Sequence, residues 1–513
     1  MKTAYIHAKL PSSNHDAFIV SNGRFLKVGK TMEILNEMVD EVIDLNDHTV
    51  LPGFNDSHLH VLGIGKSMAM ASLSHYESID AMIDDLKQND SNPLIGRGFH
   101  EDQFIEKRAP NRSDLDKISS DKPIILYRVC GHMIVLNSSA IKAVKASKVA
   151  LPAKENYDFE TGHFKEDAIK SVFKVFDDVD QETLMDQVLK AQDYLLSHGV
   201  TAVGTDDFSM YQLDFEVILE AIKTLDLKGK LKVRMFEQAN IPNLDNFKRF
   251  IEKGYVRKKY NRYEMGPLKL LADGSLGARS AYMSAPYADQ DTKGIRVFEP
   301  ETLNAFIALA SAHEMDYAIH AIGDQMTEEI LDATENLDEA TRNKRRHSII
   351  HAQLSRADQI SRMKALNVGA QTQPIFINSD YPTLKKALGD RMDNAYLFYS
   401  MYKNIKTTIS TDCPVEPINP FENLYVAITR KSIKYPELGV YNENERFSFN
   451  EALDAYTSVP AYFMYKEDQL GKIKEGYLAD FIVVNGLNPK DASTLLKTKV
   501  LRTYIEGELV YKA

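Results

Sequence analysis

Short apolar runs recur through the middle of the chain, and most are separated by stretches with helical spacing of their apolar positions. The runs lie at Val50 to Ser57, Thr201 to Thr205, Leu231 to Phe236, Leu268 to Ala272, Tyr317 to His320, Ser348 to His351, Val368 to Gln371 and Thr407 to Ser410. Runs of this length, apolar on both faces and bounded by turn residues, fit strands of a parallel sheet covered on each side. Eight strands alternating with helices predict an α/β fold, a (β/α)8 TIM-like barrel.

The ends of the chain follow a different pattern. Ala17 to Gly29 holds two β-prone runs joined by Ser21-Asn22-Gly23, a hairpin signal, and VIDLNDHTVLPGF follows it. ADFIVVNG and VLRTYIEGELVYKA near the C-terminus look alike. Either tail alone would be a marginal sheet, so residues 1–50 and 465–513 are expected to form one small β-sandwich. The barrel then occupies 51–464. Its first two strands are too far apart for an ordinary βα unit, which predicts an inserted subdomain within 65–195. IILYRV (124–129) reads as a strand of that insertion, although counting it in the barrel would give nine.

Composition narrows the function classes. Apolar residues make up 44% and charged residues 26%, the balance of an ordinary soluble globular protein. Lysine and arginine number 62 against 73 acids, a net charge of −11 with no basic stripe to follow a phosphate backbone, so nucleic acid is not an expected partner. No apolar run reaches the length of a membrane span, and the first residues lack the apolar region of a signal peptide. Only Cys130 and Cys413 are present, which rules out a disulfide framework. A cytoplasmic location is the expectation.

The polar residues at the strand ends carry the chemistry. In LPGFNDSHLH, His58 and His60 stand two apart and share one face of a strand. His320 ends the fifth strand, His351 the sixth, and Asp412 follows the eighth in TTISTDCPVEP. Barrel sites lie at the C-terminal strand ends, so these residues are expected to converge on one cavity, where imidazole nitrogens and a carboxylate suit zinc or a similar divalent ion. Singly, each also fits a core histidine or a turn-capping aspartate; the shared placement favours the metal. Lys269 sits inside the apolar fourth strand, where an ammonium is costly. Two readings fit it: an ion pair or snorkelling side chain, or a cavity amine that loses its proton and reacts with CO2.

PGFNDSHLH, LKLLADGSLGARSA, HAIGD, HAQ, TDCPVEPINP and GKIKEGYLADFIVV occur in this order and resemble the amidohydrolase superfamily, in its family 3 branch, which includes the N-substituted formamide deformylases. The resemblance covers nearly the whole chain. It implies a metal-dependent barrel with a β-sandwich built from both termini. It matches His58, His60 and Asp412 to the ligands of the more buried ion, and His320 and His351 to those of a second. Lys269 falls at the bridging N6-carboxylysine, and Asp412 also serves as general base and acid. The implied activity is hydrolysis of a non-peptide C–N bond, amide- or formamide-like, in a small substrate by an ion-activated water; zinc is the expected metal, with one or two ions. A homodimer is the assembly the family suggests.

Further candidates for substrate binding are His100, Asp102 and His132 in the insertion, Asp273 and Arg279 after the fourth strand, and Gln373 after the seventh. His132 reads equally as a turn residue, and Arg279 equally as gripping an anion or pairing with an acid. Phe376 is a weaker candidate, and the aromatic- and methionine-rich 389–402 reads as core or as an apolar substrate wall. His313 and His347 are expected non-ligands; His347 lies at the far end of its strand from His351. The rival readings are ester or lactone hydrolysis or isomerisation in the same cavity, and a scaffold without catalysis.

Overall fold

A computed structural model of the chain describes residues 1–11, 13–128, 133–176 and 179–513. It divides into two compact units. One comprises 1–61, 191–208 and 222–513, and the other comprises 62–190 and 209–221.

The first unit contains an eight-stranded parallel sheet curled into a barrel: β1 (Phe54–Leu59), β2 (Val200–Thr205), β3 (Arg234–Asn240), β4 (Tyr263–Leu271), β5 (Tyr317–Ala321), β6 (Ser348–His351), β7 (Gly369–Thr372) and β8 (Thr407–Ile409). Consecutive strands are neighbours throughout. Every residue of β1, β2, β6, β7 and β8 is buried, as expected for strands covered on both faces. Helices of the outer layer cover the sheet through narrow apolar faces. Pro300–Ala312 buries Leu303, Phe306, Ile307 and Ala310, and Asn243 caps Leu244–Glu252, which buries Phe247 and Phe250. Backbone bonds close the ring beyond β8: Asp412 N–H donates to His58 O at 2.9 Å, and His60 N–H to Cys413 O at 2.9 Å.

The chain ends form two four-stranded sheets in the same unit. Lys2–Ile6, Ala17–Ser21, Arg24–Gly29 and Glu41–Asp44 make one; Thr49–Pro52, Phe481–Asn485, Lys499–Ile505 and Glu508–Lys512 make the other. Tyr5, Phe18, Phe25, Val50, Phe481 and Tyr504 fill the space between them.

The expected first strand, Val50 to Ser57, is two strands. Thr49–Pro52 pairs with Phe481–Asn485 in the sandwich, and only Phe54–Leu59 enters the barrel. The break falls at Gly53, where an added Cβ would meet Thr201 Oγ1 at 2.3 Å, so β1 and β2 come this close only with glycine there. The third strand is also displaced, to Arg234–Asn240 from the expected Leu231 to Phe236. Its polar end, Glu237-Gln238-Ala239-Asn240, hides it from an apolar-run reading.

The second unit carries its own six-stranded sheet, and Ile124–Arg128 is one of its inner strands rather than a ninth barrel strand. It spans 62–190 and takes in 209–221 as well, a return that the expected 65–195 did not contain. Among the described residues, no helix is long and apolar enough to cross a membrane.

Candidate metal centre

Strand alternation puts His58 and His60 on one face at the end of β1, with ring centroids 5.3 Å apart. Barrel closure brings Asp412 against both. Its Oδ1 lies 3.0 Å from His60 Nε2 and 3.3 Å from His58 Nε2, and the three side chains are 14% exposed or less. Their ligand atoms all fall within 4.8 Å of one another. Beneath them Asp56, fully buried, accepts bonds from Thr411 N–H, Thr411 Oγ1 (2.8 Å), Tyr456 O–H (2.8 Å) and His58 N–H (3.3 Å). It ties together the ends of β1 and β8 that carry these three side chains.

The other ring nitrogens show what these atoms can hold. His60 Nδ1 meets the backbone carbonyl of Asp206 at 2.7 Å, and a carbonyl only accepts, so Nδ1 carries the proton and Nε2 a lone pair. His58 Nδ1 likewise meets Gln238 Oε1 at 2.6 Å. In the neutral rings two lone pairs and a carboxylate oxygen therefore face one another inside the barrel, a set that a cation would satisfy. Burial, then the Lys269 charge, pushes His58 down to about 4. For His60 burial acts in the same direction, but Asp412 outweighs it and raises the ring to about 9. Burial pushes Asp412 up, yet the two imidazoles hold it well below the usual carboxylate range. Two neutral imidazoles and a carboxylate are a fitting donor set for zinc or a similar divalent ion.

Lys269 and the remaining histidines stand beside this cluster. Lys269, on β4, is 1% exposed, and burial lowers its amine to about 8 against the pull of Asp206 and Asp412. The His351 ring lies 5.6 Å from that of His58 and 4.5 Å from that of His320. Its Nδ1 meets Gln373 Oε1 at 2.7 Å, while burial and then His320 hold its pKa well below that of a free imidazole. His320 is turned the other way: Nε2 faces Gly274 O (3.1 Å) and Asp273 Oδ1 (3.2 Å), leaving Nδ1 as its lone pair. His351 and Asp412 both hold left-handed backbone, at φ of 73° and 57°, the strained geometry that recurs at functional positions.

The remaining candidates occupy other places. Asp273 accepts from Tyr282, Ile322 and Gly323 N–H, so its carboxylate is committed to the loops around β5. Arg279 is paired with Asp289 through Nε and Nη2 at 2.8–3.2 Å, the ion pair that was one of its two readings. Gln373 is 1% exposed and supports His351. His100 and Asp102 belong to the second unit, where Asp102 N–H donates to His100 Nδ1 at 3.2 Å. His132 and Cys130 lie outside the described residues. Phe376 stacks near His351, with centroids 5.8 Å apart. Tyr396, Phe398 and Met401 of the aromatic segment are buried core. Cys413 is a buried free cysteine whose thiol is pushed up by burial, so it is no nucleophile.

A cavity of about 510 Å3, lined by His347, Lys406 and Tyr462, opens at the opposite, N-terminal ends of β6 to β8. His347 accepts from Tyr317 N–H there at 3.2 Å.

The amidohydrolase family pattern matches residues 41–511. The chain belongs to that family. The Bacillus subtilis (strain 168) protein YtcJ, named as an amidohydrolase, is 32% identical over 490 residues, which cover 92% of this chain and 90% of that protein. An N-substituted formamide deformylase of Arthrobacter pascens is 24% identical, over 97% of this chain and 95% of its own. A crystal structure of a metal-dependent hydrolase from Pyrococcus furiosus superposes with a TM-score of 0.82 and 30% identity, covering 96% of this chain and all of that one. This amidohydrolase is thus a metal-dependent hydrolase built on a TIM-like barrel, as the motifs implied.

Proposed function

We propose that this amidohydrolase cleaves a non-peptide C–N bond, amide- or formamide-like, in a small substrate, with zinc at His58, His60 and Asp412. The observation that carries this reading is the pair of imidazole lone pairs aimed at one carboxylate oxygen in a closed, buried cluster. His320 and His351 serve a second ion. A divalent ion there supplies Lewis acidity, polarising a substrate carbonyl and lowering the pKa of water towards about 7.

The protein's own residues do the rest. His58 and His60 present Nε2, and His320 presents Nδ1. Asp412 takes the proton of the attacking water on its carboxylate and returns it to the leaving nitrogen, a role worth about 10²–10⁴-fold. Lys269, with its amine pushed down to about 8, is unprotonated in part near neutral pH. Its Nζ would add to CO2, forming an N–C bond and releasing a proton to solvent, and the resulting carbamate would supply anionic oxygens to a metal held in this cavity. We assign the enzyme to the cytoplasm, as a homodimer.

A panel of formamides, other amides, ureas, cyclic imides, dipeptides, esters and lactones, run on zinc-loaded protein, tests the substrate class. Turnover confined to non-peptide C–N substrates supports the reading. Turnover of esters or dipeptides alone overturns it.

A further inference from the structure

Three buried glutamines lie beneath the ligands. Gln238 on β3, Gln371 on β7 and Gln373 just beyond it are each 2% exposed or less. Amides are ambiguous partners, because one end donates and the other accepts. Here backbone carbonyls remove the ambiguity. Gln238 Nε2 lies 2.9 Å from Ser57 O, so the donating end must face that carbonyl and Oε1 must face His58 Nδ1, at 2.6 Å. Gln373 Nε2 lies 3.1 Å from Gln371 O and 2.8 Å from Ser410 Oγ, so its Oε1 must face His351 Nδ1, at 2.7 Å. Each glutamine therefore obliges its histidine to carry the proton on Nδ1 and keep Nε2 bare.

Gln371 joins the two. Its Oε1 accepts from Gln238 Nε2 at 3.0 Å, its Nε2 donates to Ser348 Oγ at 2.8 Å, and its backbone carbonyl is the one that orients Gln373. The contact depends on Gly204 of β2, where an added Cβ would sit 2.2 Å from Ser57 O and 3.1 Å from Gln238 Nε2.

We propose that Gln238, Gln371 and Gln373 form one positioning relay that fixes the tautomers of His58 and His351 and couples the ligands of the two ion positions. It rests on the metal reading above, and none of the three touches substrate. Gln371 contacts neither ring, yet its loss frees one donor bond of Gln238 and loosens the relay. An outer partner of a ligating histidine commonly carries 10–100-fold in metal affinity.

The test pairs zinc affinity, by chelator competition, with 15N NMR of labelled histidine, which separates bare from protonated ring nitrogens. Wild-type, Gln238→Leu, Gln373→Leu and Gln371→Leu proteins are compared, stripped and zinc-loaded. The expected result is about a 10–100-fold loss of zinc affinity in Gln238→Leu and Gln373→Leu, and a smaller loss in Gln371→Leu. In the stripped Gln238→Leu protein, His58 shifts towards the Nε2–H form. Gln238→Asn keeps an amide too short to span Ser57 O and His58, and replaces the leucine variant if that one does not fold. Unchanged affinity with unchanged tautomers overturns the relay. If the wild type itself takes up no ion, the metal reading fails, and the stripped-protein tautomers decide the relay alone.

Discussion

The backbone amide of Asp412 donates to the carbonyl of His58 at 2.9 Å. The same bond that closes the barrel between its first and last strands thus carries the Asp412 carboxylate to the histidine pair. Sites at barrel tops usually gather residues from loops that must be ordered separately. Here the backbone bond of barrel closure also brings the three candidate ligands together, and Asp56 reinforces it from below.

Replacing Asp412 tests the carboxylate without disturbing that closure. Its φ of 57° is one that asparagine tolerates at least as well as aspartate, so Asp412→Asn is expected to fold normally. Loss of the anionic ligand and of the proton carrier is expected to lower turnover by about 10²–10⁴-fold. Steady-state kinetics beside circular dichroism checks both halves.

Asp56 is a structural counterpart. Asp56→Ala leaves the Thr411 amide, the Thr411 hydroxyl and the Tyr456 hydroxyl without their acceptor in a dry interior. Each unsatisfied buried donor costs about 1–3 kcal/mol, so a loss of several kcal/mol is expected in urea unfolding, with a smaller loss for Asp56→Asn. An alanine variant as stable as wild type would contradict the tie.

His347 supplies the pH test away from the ligands. Burial lowers its pKa to about 4, below its value of about 6.5 in the unfolded chain. The unfolded state therefore binds the proton first on acidification, so this stability is present above about pH 6.5 and lost as pH falls towards 4. Between pH 7 and pH 5 the shift amounts to about 2 kcal/mol. His347→Gln is expected to lose correspondingly less stability over that interval, measured by urea unfolding at both pH values, and to keep its activity at pH 7.5.

Lys269→Met removes the buried amine and keeps the volume. Elemental analysis is expected to show a metal ratio below that of the wild type, and added formate or acetate to restore part of the lost turnover by standing in for the proposed carbamate. An unchanged metal ratio would return Lys269 to the ion-pair reading.

Much of this was legible in the sequence because barrel strands buried on both faces leave long apolar runs, and histidines at their ends stand out. The strand at Arg234–Asn240 was displaced because its second half holds Glu237, Gln238 and Asn240, three polar residues buried in the interior. The same cause hid the support residues. Asp56, Gln238 and Gln371 lie in strands read as packing, and only the through-space approach of β1, β3, β7 and β8 gives them partners. A polar residue inside an otherwise apolar barrel strand was the available signal, as Asn55-Asp56-Ser57 and Gln371 show. The left-handed backbone at His351 and Asp412 is hard to read from sequence, since aspartate and histidine adopt it more often than most residues but only in a minority of their positions. Asp273 and Arg279 carried suitable chemistry, but the loop after β4 consumes both within the protein.

The most direct measurement is metal content by elemental analysis of protein purified without chelators, beside a His58→Ala/His60→Ala variant. One to two equivalents of a divalent ion in the wild type, falling by about one in the variant, is the expected result. A wild type that holds no divalent ion and takes up none from added zinc, or a variant that holds as much as the wild type, would contradict the assignment of His58, His60 and Asp412 as the metal centre.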